Sequence, residues 1–390
     1  MPAALSREHI ARGPPWERPG AGPRFMRRGR RAVPWTTDMA TSIQSRPYGR
    51  LPDGRAVHEF RLDNGRGLVL TALDWGGIVT GLWLPGAPKS GDSVVLGLAN
   101  LEAYLAGAGS HLGVIAGRYA NRIAGASFEL DGERHVLAAN DGANCLHGGP
   151  AGFGASLWQG LPRQPGADGS VSLRLERFSP HAEMGFPGNM HVAVTYTLAA
   201  DMSWRVDYEA TTDRATVINL TSHAYFNLGG AESGSALDHH LTLNASRYTV
   251  PDANGIPLRH EAVDGTPFDF HRERAIRADV RYDHNWLLDH PLDGALHPAA
   301  RLSDPASGRW MEISTTEPAI QFYAGTWLDG SLASPGGKPF TRGAGVCLET
   351  QHNPDSPNRP VSADWPSTVL RPGEVFRSAT LHRFGGQGGR

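Results

Sequence analysis

Apolar and polar positions alternate with period two along much of the chain, the repeat of a strand whose successive side chains face opposite sides. Between Trp204 and Ala210, the residues Trp204, Val206, Tyr208 and Ala210 fall on one face and Arg205, Asp207 and Glu209 on the other. That pattern predicts a half-buried antiparallel strand. Met190 to Leu198 repeats it, with Met190, Val192, Val194, Tyr196 and Leu198 sharing a face. The same reading predicts strands over 57–63, 67–72, 78–84, 171–178, 215–228, 309–315, 319–325, 345–351 and 375–383. Asp53-Gly54, Asn64-Gly65 and Asp131-Gly132 supply the positive-φ residues of hairpin turns. Helical spacing is confined to a turn near Leu101 to Leu105, and no repeat of fixed period is found. The expected class is all-β, a single large antiparallel β-sandwich.

Composition strengthens this reading, because 48 glycines and 29 prolines in 390 residues favour many turns between short strands. A hydrophobic fraction of 40% with 19% charged residues is that of a globular chain with a substantial core. The net charge of −2 gives no electrostatic reason to expect nucleic acid or an anionic membrane as partner. No apolar run reaches the roughly 20 residues that span a bilayer. A small neutral ligand is the expected partner, with the protein a monomer or homodimer. Two cysteines, Cys145 and Cys347, are too few for a disulfide framework, which suits a reducing cytoplasm.

Residues 1–38 differ from the remainder, with eight arginines against Glu8, Glu17 and Asp38 in a Pro/Gly-rich stretch without periodicity. Such a segment cannot offset its ordering entropy by burial, so a disordered basic tail is expected, followed by one β-sandwich domain over 39–390. Arg24 to Val33 lacks the apolar stretch of a secretory signal. Met39, just before the first well-patterned segment, is an alternative start of translation.

Four segments concentrate chemistry. If 219–227 is a strand, Asn219, Thr221, His223, Tyr225 and Asn227 share a face that suits the wall of a hydrophilic cleft or, equally, a solvent-exposed surface. In Gly345 to Gln351, Val346 and Leu348 point one way and Cys347, Glu349 and Gln351 the other. A carboxylate amid an apolar strand is costly to bury alone, so that face is exposed or Glu349 meets a partner or ligand. Gly117-Arg-Tyr-Ala-Asn-Arg122 and Asn144-Cys-Leu-His-Gly-Gly149 place arginines, asparagines and a histidine beside glycines that let backbone approach a ligand. Such groups suit sugar hydroxyls, although Gly148-Gly149 is also an ordinary turn. Tyr282-Asp-His-Asn285 admits either a ligand-binding Asp283 or a turn cap. No His-Glu-x-x-His metal motif and no phosphate loop is present. In Asp238-His239-His240, strand neighbours would face opposite ways, so neither metal nor cofactor is expected.

Together these segments, with Ser222-His-Ala-Tyr-Phe-Asn-Leu228 and Leu348-Glu-Thr-Gln351, resemble the aldose 1-epimerase (galactose mutarotase) family in their order along the chain, from about Gly49 to the C-terminus. The resemblance implies a galactose mutarotase-type β-sandwich with a sugar in an open cleft and interconversion of α and β anomers of a free aldose. It implies Glu349 as general base, His223 as general acid, and Asn121, Arg122, His147, Tyr225, Asp283 and Gln321 as sugar contacts. Reference side-chain values would let ionised Glu349 and protonated His223 coexist between about 4.3 and about 6.5. A glycoside hydrolase would need two flanking carboxylates and leave His223 without a task. A hexose-phosphate 1-epimerase would need a cationic phosphate pocket, and a non-catalytic carbohydrate-binding sandwich would bind sugar without changing anomer exchange.

Overall fold

The computed structural model describes residues 41–86 and 92–386; the expected tail at 1–38 lies outside them. Its named strands pair antiparallel throughout. A nine-stranded sheet runs in the order Gln159–Pro162, Val171–Ser179, Met190–Leu198, Ser203–Thr212, Phe376–Gly385, Trp310–Thr315, His297–Ser303, His240–Leu243 and Arg274–Ala275. A six-stranded sheet has the order Tyr225–Phe226, Val346–Gln351, Ala319–Tyr323, Asp283–Leu287, Arg247–Pro251 and Pro257–Ala262. A third sheet joins Ser42–Arg50, Ala56–Asp63, Val69–Leu73 and Val79–Trp83. One apolar core unites them, with Val194, Trp204 and Val206 from the nine-stranded sheet, Phe322, Val346 and Leu348 from the six-stranded sheet, and Leu62 and Leu70 from the third. The all-β sandwich read from the alternation is the architecture found.

Local chemistry explains the elements. Trp204, Val206, Tyr208 and Ala210 are all buried while their neighbours Arg205, Asp207 and Glu209 are only partly so, as period-two patterning demands. Asp131 and Gly132 both take positive φ, 52° and 80°, to join Ser127–Leu130 to Glu133–Val136. The short helix Leu101–Ala106 is started by Asn100, whose side chain accepts the Ala103 N–H at 2.9 Å.

The stretch 215–228 departs from expectation. Instead of one strand it forms three two-residue pieces, Thr216–Val217, Thr221–Ser222 and Tyr225–Phe226, each with a different partner. Nor is its polar face a cleft wall throughout. Asn219 donates to the Ala120 and His352 carbonyls and accepts the His352 N–H, and Asn227 donates to the Gly234 and Ala344 carbonyls. Buried asparagines here satisfy backbone groups where the chain leaves one ladder for the next. Ser42–Arg50 is a strand that the alternation does not announce, because it is half-exposed on both faces, and Arg247–Pro251 is a further strand whose alternation, with Tyr248 and Val250 on one face, runs for only five residues and ends in a proline.

The six-stranded sheet matters most for function, because cross-strand partners share a face. Tyr225 opposes Cys347, Cys347 opposes Tyr323, and Tyr323 opposes Asp283. One step along, Glu349 opposes Gln321 and Gln321 opposes Asn285. These residues form the site face, while Phe226, Val346, Leu348, Ile320, Phe322 and Trp286 on the reverse belong to the core. Phe322 is 0% exposed and Phe178 is 50% exposed. Phe322→Ala is therefore expected to cost about 3–5 kcal/mol, against about 0.5 kcal/mol or less for Phe178→Ala, measured by denaturant unfolding.

Candidate active site

Two loops are locked together beside the site face. The Asn121 N–H donates to Nδ1 of His147 at 3.1 Å, and the His147 N–H returns a bond to the Asn121 carbonyl at 3.1 Å. Arg122 and Ile123 then pair with Leu146 and Cys145. Asn121 and His147 both sit in the left-handed region, at φ 64° and 50°, conformations a non-glycine residue keeps only when its surroundings hold it. Gly148 is required for the approach, since a Cβ there would lie 2.0 Å from the Gly117 carbonyl oxygen. Arg122 is aimed by Asp141, whose Oδ2 accepts its Nε–H at 2.7 Å.

His223 arrives on the broken crossing segment. Its N–H donates to the Val114 carbonyl at 2.8 Å and its carbonyl accepts the Gly113 N–H at 3.0 Å. Its Nε2 lies 3.7 Å from Oε1 of Glu349, and its ring centroid is 5.1 Å from that of His147. Glu349 is 2% exposed, and its Oε2 has no hydrogen-bond partner among the described residues. On the same face Gln321 donates to Oδ1 of Asp283 at 2.9 Å, and Arg281 stands 4.0 Å from the other Asp283 oxygen.

The structure thus brings together His223, Glu349, His147, Asn121, Arg122, Asp283 and Gln321. Tyr225, 3% exposed on the same face, donates its hydroxyl to the Ser110 carbonyl at 2.8 Å and sets its ring 5.2 Å from that of His223. His284 packs against Phe268, Tyr248 and Trp286, on the reverse of the strand from Asp283. His111 was not singled out in the sequence. It takes φ 52° and sets its ring 4.7 Å from His147 and 5.9 Å from His223. A histidine in an unpatterned loop carries no periodic signal, and only its position shortly before Gly117 hinted at the site.

Burial governs the protonation states. It pushes Glu349 up to about 8, helped by the negative charge of Asp283 and opposed by Arg122. It pushes His223 down to about 3, helped by His111. His147 is held well below the usual imidazole range by burial, then by His111, His223 and Arg122. The window expected from free side chains is therefore not the one this site sets, because desolvation favours the neutral form of both groups.

Donor atoms of His147, His223 and Glu349 lie within 4.8 Å of one another, a set that invites a metal. The donor chemistry opposes it. Nδ1 of His147 is occupied in accepting the Asn121 N–H, so a neutral ring carries its proton on Nε2 and offers a donor rather than a lone pair. Asp238-His239-His240 is likewise structural at His239, whose Nε2 accepts the Leu228 N–H at 2.8 Å. His147→Ala is expected to lower stability by about 1–3 kcal/mol, by leaving the buried Asn121 N–H unpaired, as well as weakening ligand binding. Thermal unfolding and ligand titration of the same sample test both effects.

Comparisons with known proteins agree with this geometry. The family model for aldose 1-epimerase matches residues 58–383. The galactose mutarotase of Homo sapiens is 38% identical over 351 residues, spanning 88% of this chain and 98% of its own length. The aldose 1-epimerase of Escherichia coli (strain K12) is 36% identical over 348 residues, spanning 85% of this chain and 96% of its own. Among solved structures, galactose 1-epimerase from Lactobacillus acidophilus NCFM matches with a TM-score of 0.76 at 26% identity, over 89% of this chain and 99% of that one. The chain belongs to the aldose 1-epimerase family, isomerases that interconvert the α and β anomers of an aldose.

Proposed function

We propose that Glu349 and His223 are the proton-transfer pair of this isomerase, and that Asn121, Arg122, His147, Asp283 and Gln321 hold the hydroxyls of a free hexose such as the galactose for which its relatives are named. The observation that carries this reading is the 3.7 Å approach of His223 Nε2 to Oε1 of a buried Glu349 whose other oxygen has no partner among the described residues. A carboxyl group left so in a desolvated place is costly unless a ligand meets it. The cytoplasm is the proposed setting; among the described residues no helix is long and apolar enough to cross a membrane.

In the reactive state Glu349 is a carboxylate and His223 an imidazolium. The carboxylate takes the proton of the anomeric hydroxyl while Nε2–H of His223 protonates the ring oxygen. The C1–O5 bond breaks and the open-chain aldehyde forms. Rotation about C1–C2 presents the other carbonyl face, the C5 hydroxyl returns its proton to His223 as it attacks C1, and Glu349 protonates the new anomeric oxygen. Charges and protons end where they began. No cofactor is called on in these steps.

The pair needs one proton shared between its members. With His223 near 3 and Glu349 near 8, that proton rests on the carboxyl group of the free site through the interval between those values and must shift to Nε2 for reaction. Below the interval a second proton removes the base, and above it the shared proton is lost and no acid remains. The pH profile of kcat/KM is thus expected to hold level to about 8 and fall above it. Asp283→Asn removes a negative charge that raises Glu349, so it is expected to move the alkaline limb to lower pH.

Glu349→Gln and His223→Asn should each reduce turnover by about 10²–10⁴-fold, with the double variant little worse than the worse single one. Anomer exchange measured by NMR on folded protein decides it. Near wild-type exchange in His223→Asn would remove the acid from this mechanism.

A further inference from the structure

Beside the proposed pair runs a line of groups with a direction of its own. The Tyr225 hydroxyl donates to the Ser110 carbonyl at 2.8 Å. A carbonyl can only accept, so the phenol proton is committed to it and the phenol oxygen is left to accept. Cys347 is the cross-strand partner of Tyr225, so the two side chains leave the same face side by side, close enough to act on each other electrostatically. Cys347 is 0% exposed, and burial followed by the nearby Glu349 raises the thiol well above its usual range. The S–H proton therefore persists. Once it points at Tyr225, the sulfur lone pairs face Nδ1 of His223, 3.6 Å away.

We propose that Ser110, Tyr225 and Cys347 form a positioning chain that holds neutral His223 in the tautomer with its proton on Nδ1. The inference rests on the reading of His223 as the acid. Its consequence is that Nε2, the nitrogen 3.7 Å from Glu349, carries the mobile proton, taking it and giving it up without the ring becoming imidazolate. With the other tautomer Nε2 would already hold the ring's only proton and could not receive the one that Glu349 must relinquish. Tyr225 and Cys347 are positioning residues: they act through His223 and need not touch sugar.

The tautomer is directly measurable by long-range 1H–15N correlation of the full-length labelled protein at neutral pH. The signals of His223 among 17 histidines are assigned by their loss in His223→Asn. Wild type should show a protonated Nδ1 and an unprotonated Nε2. In Tyr225→Phe the thiol loses its acceptor and turns to Nδ1, so the ring should go over to the Nε2–H tautomer. Its kcat should fall about tenfold, a fraction of a full acid–base contribution, with KM unchanged. Cys347→Ala, which takes away the sulfur acceptor, should give mixed tautomers and a lowered kcat. A purely packing role would change stability in both variants and leave tautomer and kcat alone. Wild-type His223 protonated on Nε2, or an Nδ1–H tautomer that survives both substitutions, would overturn the proposal. Unimpaired anomer exchange in His223→Asn would instead sink the acid assignment while leaving the tautomer result standing.

Discussion

Burying a carboxyl group that has one oxygen without a hydrogen-bond partner among the described residues is the constraint from which the rest of the site follows. Glu349 sits in Val346–Gln351, whose six residues are all buried, with Val346 and Leu348 committed to the core on the reverse face. Desolvation of an ionised carboxylate there is expensive, so the resting group is protonated and the imidazole beside it neutral. Each is thereby displaced from its usual range toward the state in which the pair shares one proton.

Such a site has to be built from rigid parts. Cross-strand registry places Glu349 beside Gln321, and the Gln321 amide bonds Asp283. His223 is fixed through its own backbone to Val114 and Gly113, and His147 and Asn121 hold each other by two reciprocal bonds. The left-handed conformations at Asn121, His147 and His111 mark where the loops depart from easy geometry to aim these side chains. Stability spent in the loops is offset by the shared apolar core beneath the sheets.

Polar residues in this fold divide into those that serve the backbone and those that face the site, and side-chain type does not separate them. Asn219 and Asn227 look as suited to sugar as Asn121 does, yet both are consumed where the chain passes between ladders. His239 and His284 are histidines in polar stretches, one accepting a backbone N–H and the other packed among aromatic rings. Tyr225 lies in the same motif as His223, but its hydroxyl is spoken for by Ser110.

The order of short motifs, the period-two alternation and the density of turn residues determined the class of fold, the strands at 190–198 and 204–210, and the strand that carries Glu349. These depend on side-chain direction repeating locally, which a sequence displays. The tertiary structure alone decided that 215–228 breaks into three pieces, that His111 joins His147 and His223, that the Tyr225 hydroxyl bonds the Ser110 carbonyl, and that burial raises Glu349 and lowers His223. Each of those depends on residues distant in sequence, from the approach of His223 to Glu349 to the link between Ser110 and Tyr225. Registry between strands and the exclusion of water are properties of the assembled sheets, and no local pattern of residues encodes the dielectric that a side chain will meet.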